Sequence, residues 1–179
     1  MTTKRALILT GKFVTDCEYV FPFYRLKEAG FDVDVATKNK ETVFGIIGEK
    51  IVPTMGLPTP DMALDDYTRE VRWKLLILPG GAKAMEYLRQ EQDALSFIAA
   101  HHAAGGVIGC ICHAAQLLIS ARLVKGRRIS GYYSIRDDIV NAGGTYVDEP
   151  AVVDGTICTT AHYKDMAPWM REILKLANG

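Results

Sequence analysis

A short apolar run, a turn closed by a small residue, then a stretch with helical spacing: this unit recurs along the chain and restricts its fold more than any other feature. "RALILT" is such a run, closed by Gly11, and "CEYVFPFYRLKEAG" after it has helical spacing and a stop at Gly30. Pro22 within that helix predicts a kink or an irregular turn, because proline supplies no N–H. "FDVDVAT" alternates strictly, as a strand does. "WKLLILPGG" reads as a buried strand entering a Pro-Gly-Gly turn, and "DALSFIAAHHAAGG" as a helix ended by two glycines. "VIGCIC" is a strand that passes directly into the helix former "HAAQLLISARL". Further short strands are predicted at "RRISGY", "GTYVDE", "AVVDG" and "TICTT", and helices at "IRDDIVNAGG" and "DMAPWMREILKLANG". Asp165 fits the N-cap of the last helix, with Pro168 in its tolerant first turn. "TVFGIIGEKIVP" reads as two extended pieces, a candidate hairpin, and Met55 to Arg72 as mostly loop.

Strands alternating with helices predict an α/β sandwich of three layers: a mostly parallel sheet with helices on both faces. The 179 residues suit one domain, spanning 1–179. Ligands of such sheets bind beyond the carboxyl ends of the strands. That rule selects the end of "TGKF", the "PGG" turn, the "CICHA" turn and the end of "TICTT".

Composition removes several classes of function. The formal net charge is zero, whereas nucleic-acid and anionic-membrane binders carry a basic excess. The one basic cluster, Lys125 to Arg128, reads as a solvated turn. "MTTKRALILT" lacks the apolar length of a signal peptide, and no stretch approaches the ~18 apolar residues of a membrane span. These features predict a cytoplasmic protein without nucleic-acid or membrane partners. Four cysteines in a chain of this size do not make a disulfide framework, so reduced thiols are expected.

Two of the cysteines and a histidine fall within "CICH", Cys110 to His113. A metal site needs three or four ligands, and no second Cys or His pair stands at ligand spacing. A C-x-C pair on a strand makes a poor disulfide. The remaining readings are packing and catalysis. A strand that turns at once into a helix exposes a side chain on the bend, the geometry of a nucleophile elbow. Cys112 would occupy that bend, with small residues two before it (Cys110) and two after it (Ala114). Cys110 itself reads as structural. The helix N-terminus predicts a lowered Cys112 pKa.

Two other stretches belong with this turn. Backbone N–H groups at Gly80 and Gly81 in "PGG" could join that of His113 as an oxyanion hole, although Gly-Gly also simply ends strands. Glu18, early in the first helix, lies at the same sheet edge. Such a carboxylate is either a solvated charge or, tucked against Cys112, a group of raised pKa that bonds the thiolate and moves protons.

"LILPGG" followed by "ICHAAQLLISARLVKGRRISGYYSIRDDIVNAGGTYVDEPAVVDG" resembles the ThiJ/PfpI superfamily, and its PfpI branch in particular. The opening "LILTG" with "CEYVFPFYRLKEAGFDVDVAT" is similar to that family's first βαβ unit. The resemblance implies a flavodoxin-like fold related to class I glutamine amidotransferases. It puts the reactive Cys at Cys112, the following His at His113, the paired Glu at Glu18 and the turn glycine at Gly81. It also implies a homo-oligomer, dimer or hexamer, and activities including peptidase or amidase, glutathione-independent glyoxalase, deglycase, isonitrile hydratase and stress chaperone.

The chain departs from the family pattern at three places. Met85 stands where PfpI peptidases carry the Glu that completes a neighbour's triad. Glu86 is one residue late, rotated by ~100° on a helix. His113 replaces the Thr of isonitrile hydratases. In "TTAHYKD", Ala161 stands where an Arg is expected, and His162 becomes a second candidate acid/base, against the alternative of a surface histidine. His101 and His102 read as solvated. The leading expectation is a cysteine enzyme that converts a small 2-oxoaldehyde to a 2-hydroxy acid through a thiohemiacetal at Cys112, with no metal or organic cofactor. Tyr132 would line the pocket or simply pack. Amide hydrolysis through a thioester, and a redox-sensing or holdase protein, are the alternatives.

Overall fold

The computed structural model describes residues 4–179; Met1 to Thr3, part of the stretch read for a leader, lie outside the described residues. In chain order the elements are β1 (Arg5–Leu9), α1 (Asp16–Glu28), β2 (Asp32–Thr37), β3 (Val43–Phe44), β4 (Lys50–Ile51), β5 (Met55–Gly56) and β6 (Leu75–Leu78). There follow α2 (Ala82–Leu88), α3 (Gln92–Ala103), β7 (Val107–Ile111), α4 (Ala115–Ser120), β8 (Arg128–Ile129), α5 (Arg136–Asn141), β9 (Thr145–Tyr146), β10 (Val152–Asp154), β11 (Ile157–Thr160) and α6 (Met166–Asn178).

The central sheet has seven strands in the order β10-β11-β7-β6-β1-β2-β5. All its pairings are parallel except β10 with β11 at one edge. Helices cover both faces, so the fold is flavodoxin-like. The middle strands β1, β6 and β7 are almost wholly buried, which is why they read as continuous apolar runs rather than alternating ones. α6 closes one face with Trp169, Met170, Ile173 and Leu174. Gly109 in β7 admits this packing: a Cβ there would stand 2.4 Å from Ile173 and 2.8 Å from Ile77.

Parallel strands bring their carboxyl ends to one edge. Leu78 pairs with Cys110, and Ile111 with Thr160. The residues that follow these strands therefore converge: Gly80 and Gly81, Cys112, and Ala161 with His162.

Several local expectations change. α1 runs through Pro22 without an irregular turn. The 43–51 stretch, by contrast, is the antiparallel hairpin that the sequence suggested. Its placement depends on Asp16, whose carboxylate accepts from the N–H groups of Ile47 (2.9 Å) and Glu49 (2.8 Å). The strands expected at "RRISGY" and "GTYVDE" are only two residues each and pair with one another, off the main sheet.

His101 is fully buried rather than solvated, because it continues the inward stripe of Ala94, Phe97 and Ile98 on α3. Its ring fills the space left by Gly106, and Nε2 lies 3.2 Å from the Val107 carbonyl. Burial pulls its pKa down to about 4. His102 is half-buried, with Nε2 at 3.0 Å from Arg127 and Nδ1 at 3.2 Å from Thr156. Arg127 is accordingly no solvated turn residue: it also pairs with Asp154 at 3.0 Å.

Candidate active site

The turn after β7 is built around an unusual backbone angle. Cys112 has φ +62°, in the left-handed region that non-glycine residues seldom adopt. That angle turns the chain from strand into the 3-10 turn Cys112–Ala114 and then α4. It aims the thiol out of the sheet edge while leaving Cys112 only 7% exposed. Cys110 and Ala114, the small residues flanking the bend, are fully buried.

The "PGG" turn lies against this bend with no room to spare. A Cβ on Gly80 would stand 2.6 Å from Glu18 Oε2, 2.7 Å from Cys112 Cβ and 2.8 Å from the Ile111 carbonyl. Gly81 has φ +100°, and a Cβ there would meet the Phe13 carbonyl at 2.7 Å. Glycine at both positions follows from these contacts. The N–H groups of Gly81 and His113 both act to lower the Cys112 pKa. Two backbone donors therefore favour negative charge at the reacting sulfur.

Glu18 is not a solvated carboxylate. It is 1% exposed, accepts from the Gly80 N–H at 2.8 Å and shares a hydrogen bond with Cys112. Burial raises its pKa to about 7, despite the bonds from Gly80 and Cys112. The lowered thiol pKa expected from the helix N-terminus does not hold in this environment. Burial first, and the Glu18 charge second, push Cys112 up to about 12, against the pull of the His113 and Gly81 N–H groups. α4 has only six residues, so its dipole is small beside these effects. Burial thus disfavours the charged form of both groups, which share one desolvated site.

The two candidate histidines sit differently. His113 Nδ1 lies 3.3 Å from the Cys112 sulfur, and its Nε2 lies 3.2 Å from Ser134 Oγ. Burial lowers the His113 pKa, which keeps the ring neutral. His162 lines the same cavity, but its Nδ1 accepts from the Lys164 N–H at 3.2 Å. Tyr132 stacks with both rings, at 4.7 Å from His113 and 6.4 Å from His162. Met85 is fully buried, and Glu86 is exposed and paired with Lys83 at 3.0 Å.

The cavity at this edge measures about 250 Å³. Sequence reasoning missed four residues of its lining, Thr15, Ile46, Ala82 and Tyr163, and Ser134 beside His113. Asp16, which holds the hairpin bearing Ile46, was also missed. It stands next to Cys17 and Glu18, but no spacing rule connects it to residues 31 and 33 positions later. Among the described residues, no group of three or more His, Cys, Asp or Glu side chains is gathered so as to hold a metal ion, and no helix is long and apolar enough to cross a membrane.

A family model described as the DJ-1/PfpI family matches residues 4–176. A protein named deglycase PfpI from Pyrococcus furiosus is 34% identical over 172 residues, covering 96% of this chain and 98% of that one. A putative cysteine protease, YraA of Bacillus subtilis, is 33% identical over 177 residues, covering 98% and 99%. The crystal structure of Drosophila melanogaster DJ-1beta superposes with a TM-score of 0.86 at 24% identity, over 99% of this chain and 92% of that one.

Proposed function

The chain belongs to the DJ-1/PfpI family, and from that premise we propose that it is a cysteine enzyme of deglycase type acting on small carbonyl compounds. Within that class, the reaction we infer is the glutathione-independent conversion of a 2-oxoaldehyde to a 2-hydroxy acid. The observation that carries this reading is the pairing of Cys112 with a buried carboxyl group, under two backbone N–H donors. A carboxyl with a pKa of about 7 accepts and returns protons near neutral pH. The cavity of about 250 Å³ lies below the roughly 300–1,000 Å³ of larger ligand clefts, which suits a small molecule.

The steps balance without an added co-reactant other than water. Glu18 takes the thiol proton as the sulfur adds to the aldehyde carbon, giving a thiohemiacetal whose oxygen receives a proton. The N–H groups of Gly81 and His113 stabilise the oxyanion as it forms. A proton then leaves the former aldehyde carbon as the neighbouring carbonyl oxygen gains one, giving an enediol; the neighbouring carbon then takes a proton as the hydroxyl on the former aldehyde carbon loses one, leaving a thioester of the 2-hydroxy acid. Water hydrolyses the thioester, breaking the S–C bond and restoring the thiol. Glu18 carries the protons, and the neutral His113 ring assists at the sulfur.

The test is lactate formation from methylglyoxal with no glutathione present. Turnover is expected for the natural chain and none for Cys112→Ser; retained turnover in Cys112→Ser overturns the reading. A cysteine amidase is the second reading, favoured by the contact of Cys112 with His113 and by the name of the Bacillus relative. It would show release of amine from small amides with a burst of acyl-enzyme. The redox-sensor alternative predicts neither activity, but oxidation of Cys112 by mild peroxide.

A further inference from the structure

The cavity walls carry information about the substrate that the reacting groups do not. His113, Tyr132, His162 and Tyr163 form a connected set of rings. Tyr132 lies at an interplanar angle of 26° to His113 and 27° to His162, and His162 contacts Tyr163 at 4.1 Å between centroids. The set is held by main chain on both sides. The Tyr132 N–H donates to the carbonyl of Cys112 itself at 3.1 Å, so the main chain that carries this ring is tied to the nucleophile's own residue. The Lys164 N–H donates to His162 Nδ1 at 3.2 Å and so orients that ring.

The lining is equally informative in what it contains. Its members are Thr15, Ile46, Gly81 and Ala82 after the "PGG" strand, the four rings, Cys112 and Glu18; none is Lys or Arg. The position where the family pattern has an arginine is Ala161, which is buried. A substrate carboxylate or phosphate would meet the Glu18 carboxyl and no compensating cation, which is unfavourable in a small, partly desolvated space. The four rings that line the cavity offer a planar group an aromatic wall to pack against.

Resting on the carbonyl-enzyme reading, we infer that this site selects uncharged electrophiles bearing a planar or aromatic group, with Tyr132, His162 and Tyr163 as the specificity-determining side chains. Each ring contact gives a roughly two- to tenfold preference for a planar group. Two such contacts together give roughly four- to hundredfold over a small aliphatic competitor, and the missing cation adds to this against an anionic one.

Two measurements test this separately from the reaction itself. The first is kcat/KM for phenylglyoxal, methylglyoxal and the anionic 2-oxoaldehyde 4,5-dioxopentanoate. The order given is expected, with at least about tenfold between the first and last. The second is the rate of Cys112 alkylation by phenacyl bromide, iodoacetamide and iodoacetate, each divided by its rate with glutathione. The sulfur displaces halide and forms one S–C bond, so no turnover is required. Peptide mapping separates Cys112 from the exposed Cys17. Phenacyl bromide is expected to exceed iodoacetate by about tenfold after normalisation, and Tyr163→Ala and His162→Ala each to shrink that ratio by roughly two- to tenfold. Tyr163 is half-exposed, so its removal leaves the core intact. Selective labelling without turnover of any 2-oxoaldehyde would sink the reaction reading and keep this one. Turnover with labelling ratios no different from glutathione, or ratios unchanged in both variants, would overturn the selectivity.

Discussion

Replacing Glu18 by Gln changes one oxygen for one NH₂ and should have three separable effects. The carboxyl of Glu18 moves from an ordinary 4.5 to about 7 on folding. At roughly 1.4 kcal/mol per pH unit, that displacement corresponds to about 3 kcal/mol. The sign follows from the raised value. Below about pH 4.5 the group is protonated in both states and contributes nothing. Between about pH 4.5 and about 7 the unfolded chain ionises it and the folded chain does not, so stability falls as pH rises and levels off above the folded pKa. Glu18→Gln removes this slope. Its amide oxygen still accepts from Gly80, although more weakly than a charged acceptor, by about 1 kcal/mol. The variant should therefore be about 1–3 kcal/mol more stable than the natural chain near pH 8 and no more stable near pH 5. Urea denaturation at both pH values measures the difference. The same change removes the charge that helps push the Cys112 thiol up to about 12. The pH midpoint for alkylation of Cys112 should fall. Turnover should nevertheless drop, because the proton acceptor is gone. A stability difference that does not change between these pH values, or an alkylation midpoint that stays or rises, would refute the assignment of Glu18 as the buried partner of the thiol.

Gly80→Ala places a methyl 2.6 Å from Glu18 Oε2 and 2.8 Å from the Ile111 carbonyl. It should destabilise the fold by about 3 kcal/mol and abolish activity, whereas Gly11→Ala, which would meet only the Leu88 side chain at 3.4 Å, should change stability by about 0.5 kcal/mol or less; thermal denaturation compares the two. His101 has a pKa lowered by burial from 6.5 to about 4. Its contribution is complete above about pH 6.5 and lost as pH falls toward about 4, an acid-side loss of about 3 kcal/mol. His101→Leu should abolish that loss while forgoing the contact with the Val107 carbonyl, about 1 kcal/mol at neutral pH. Stability curves of the two proteins should then cross on acidification; parallel curves would exclude the buried histidine as their cause.

The sequence by itself determined the architecture, because the signals were local and repeated. Apolar runs such as "LILP" and "VIGC" have no polar face to leave in water, so they had to be central strands of a covered sheet. Parallel strands then had to bring the "PGG" and "CICH" turns to one edge. Cys112 was legible for the same reason, since a strand entering a helix within one residue leaves only that position on the bend. What tertiary structure alone decided depends on burial and on separations that no spacing rule spans. The pKa of Cys112 went up, because the desolvation and the Glu18 charge that act on it arise only when the first helix packs onto the turn after the seventh strand. His101 went inside, because Gly106 leaves a space of imidazole size beside it. The stacking of Tyr132 on His113 and His162, the cradling Asp16 and the contact of His113 with Ser134 join residues 19 or more positions apart. A sequence names those side chains; only the packed chain gives them the environment that sets their charge and reach.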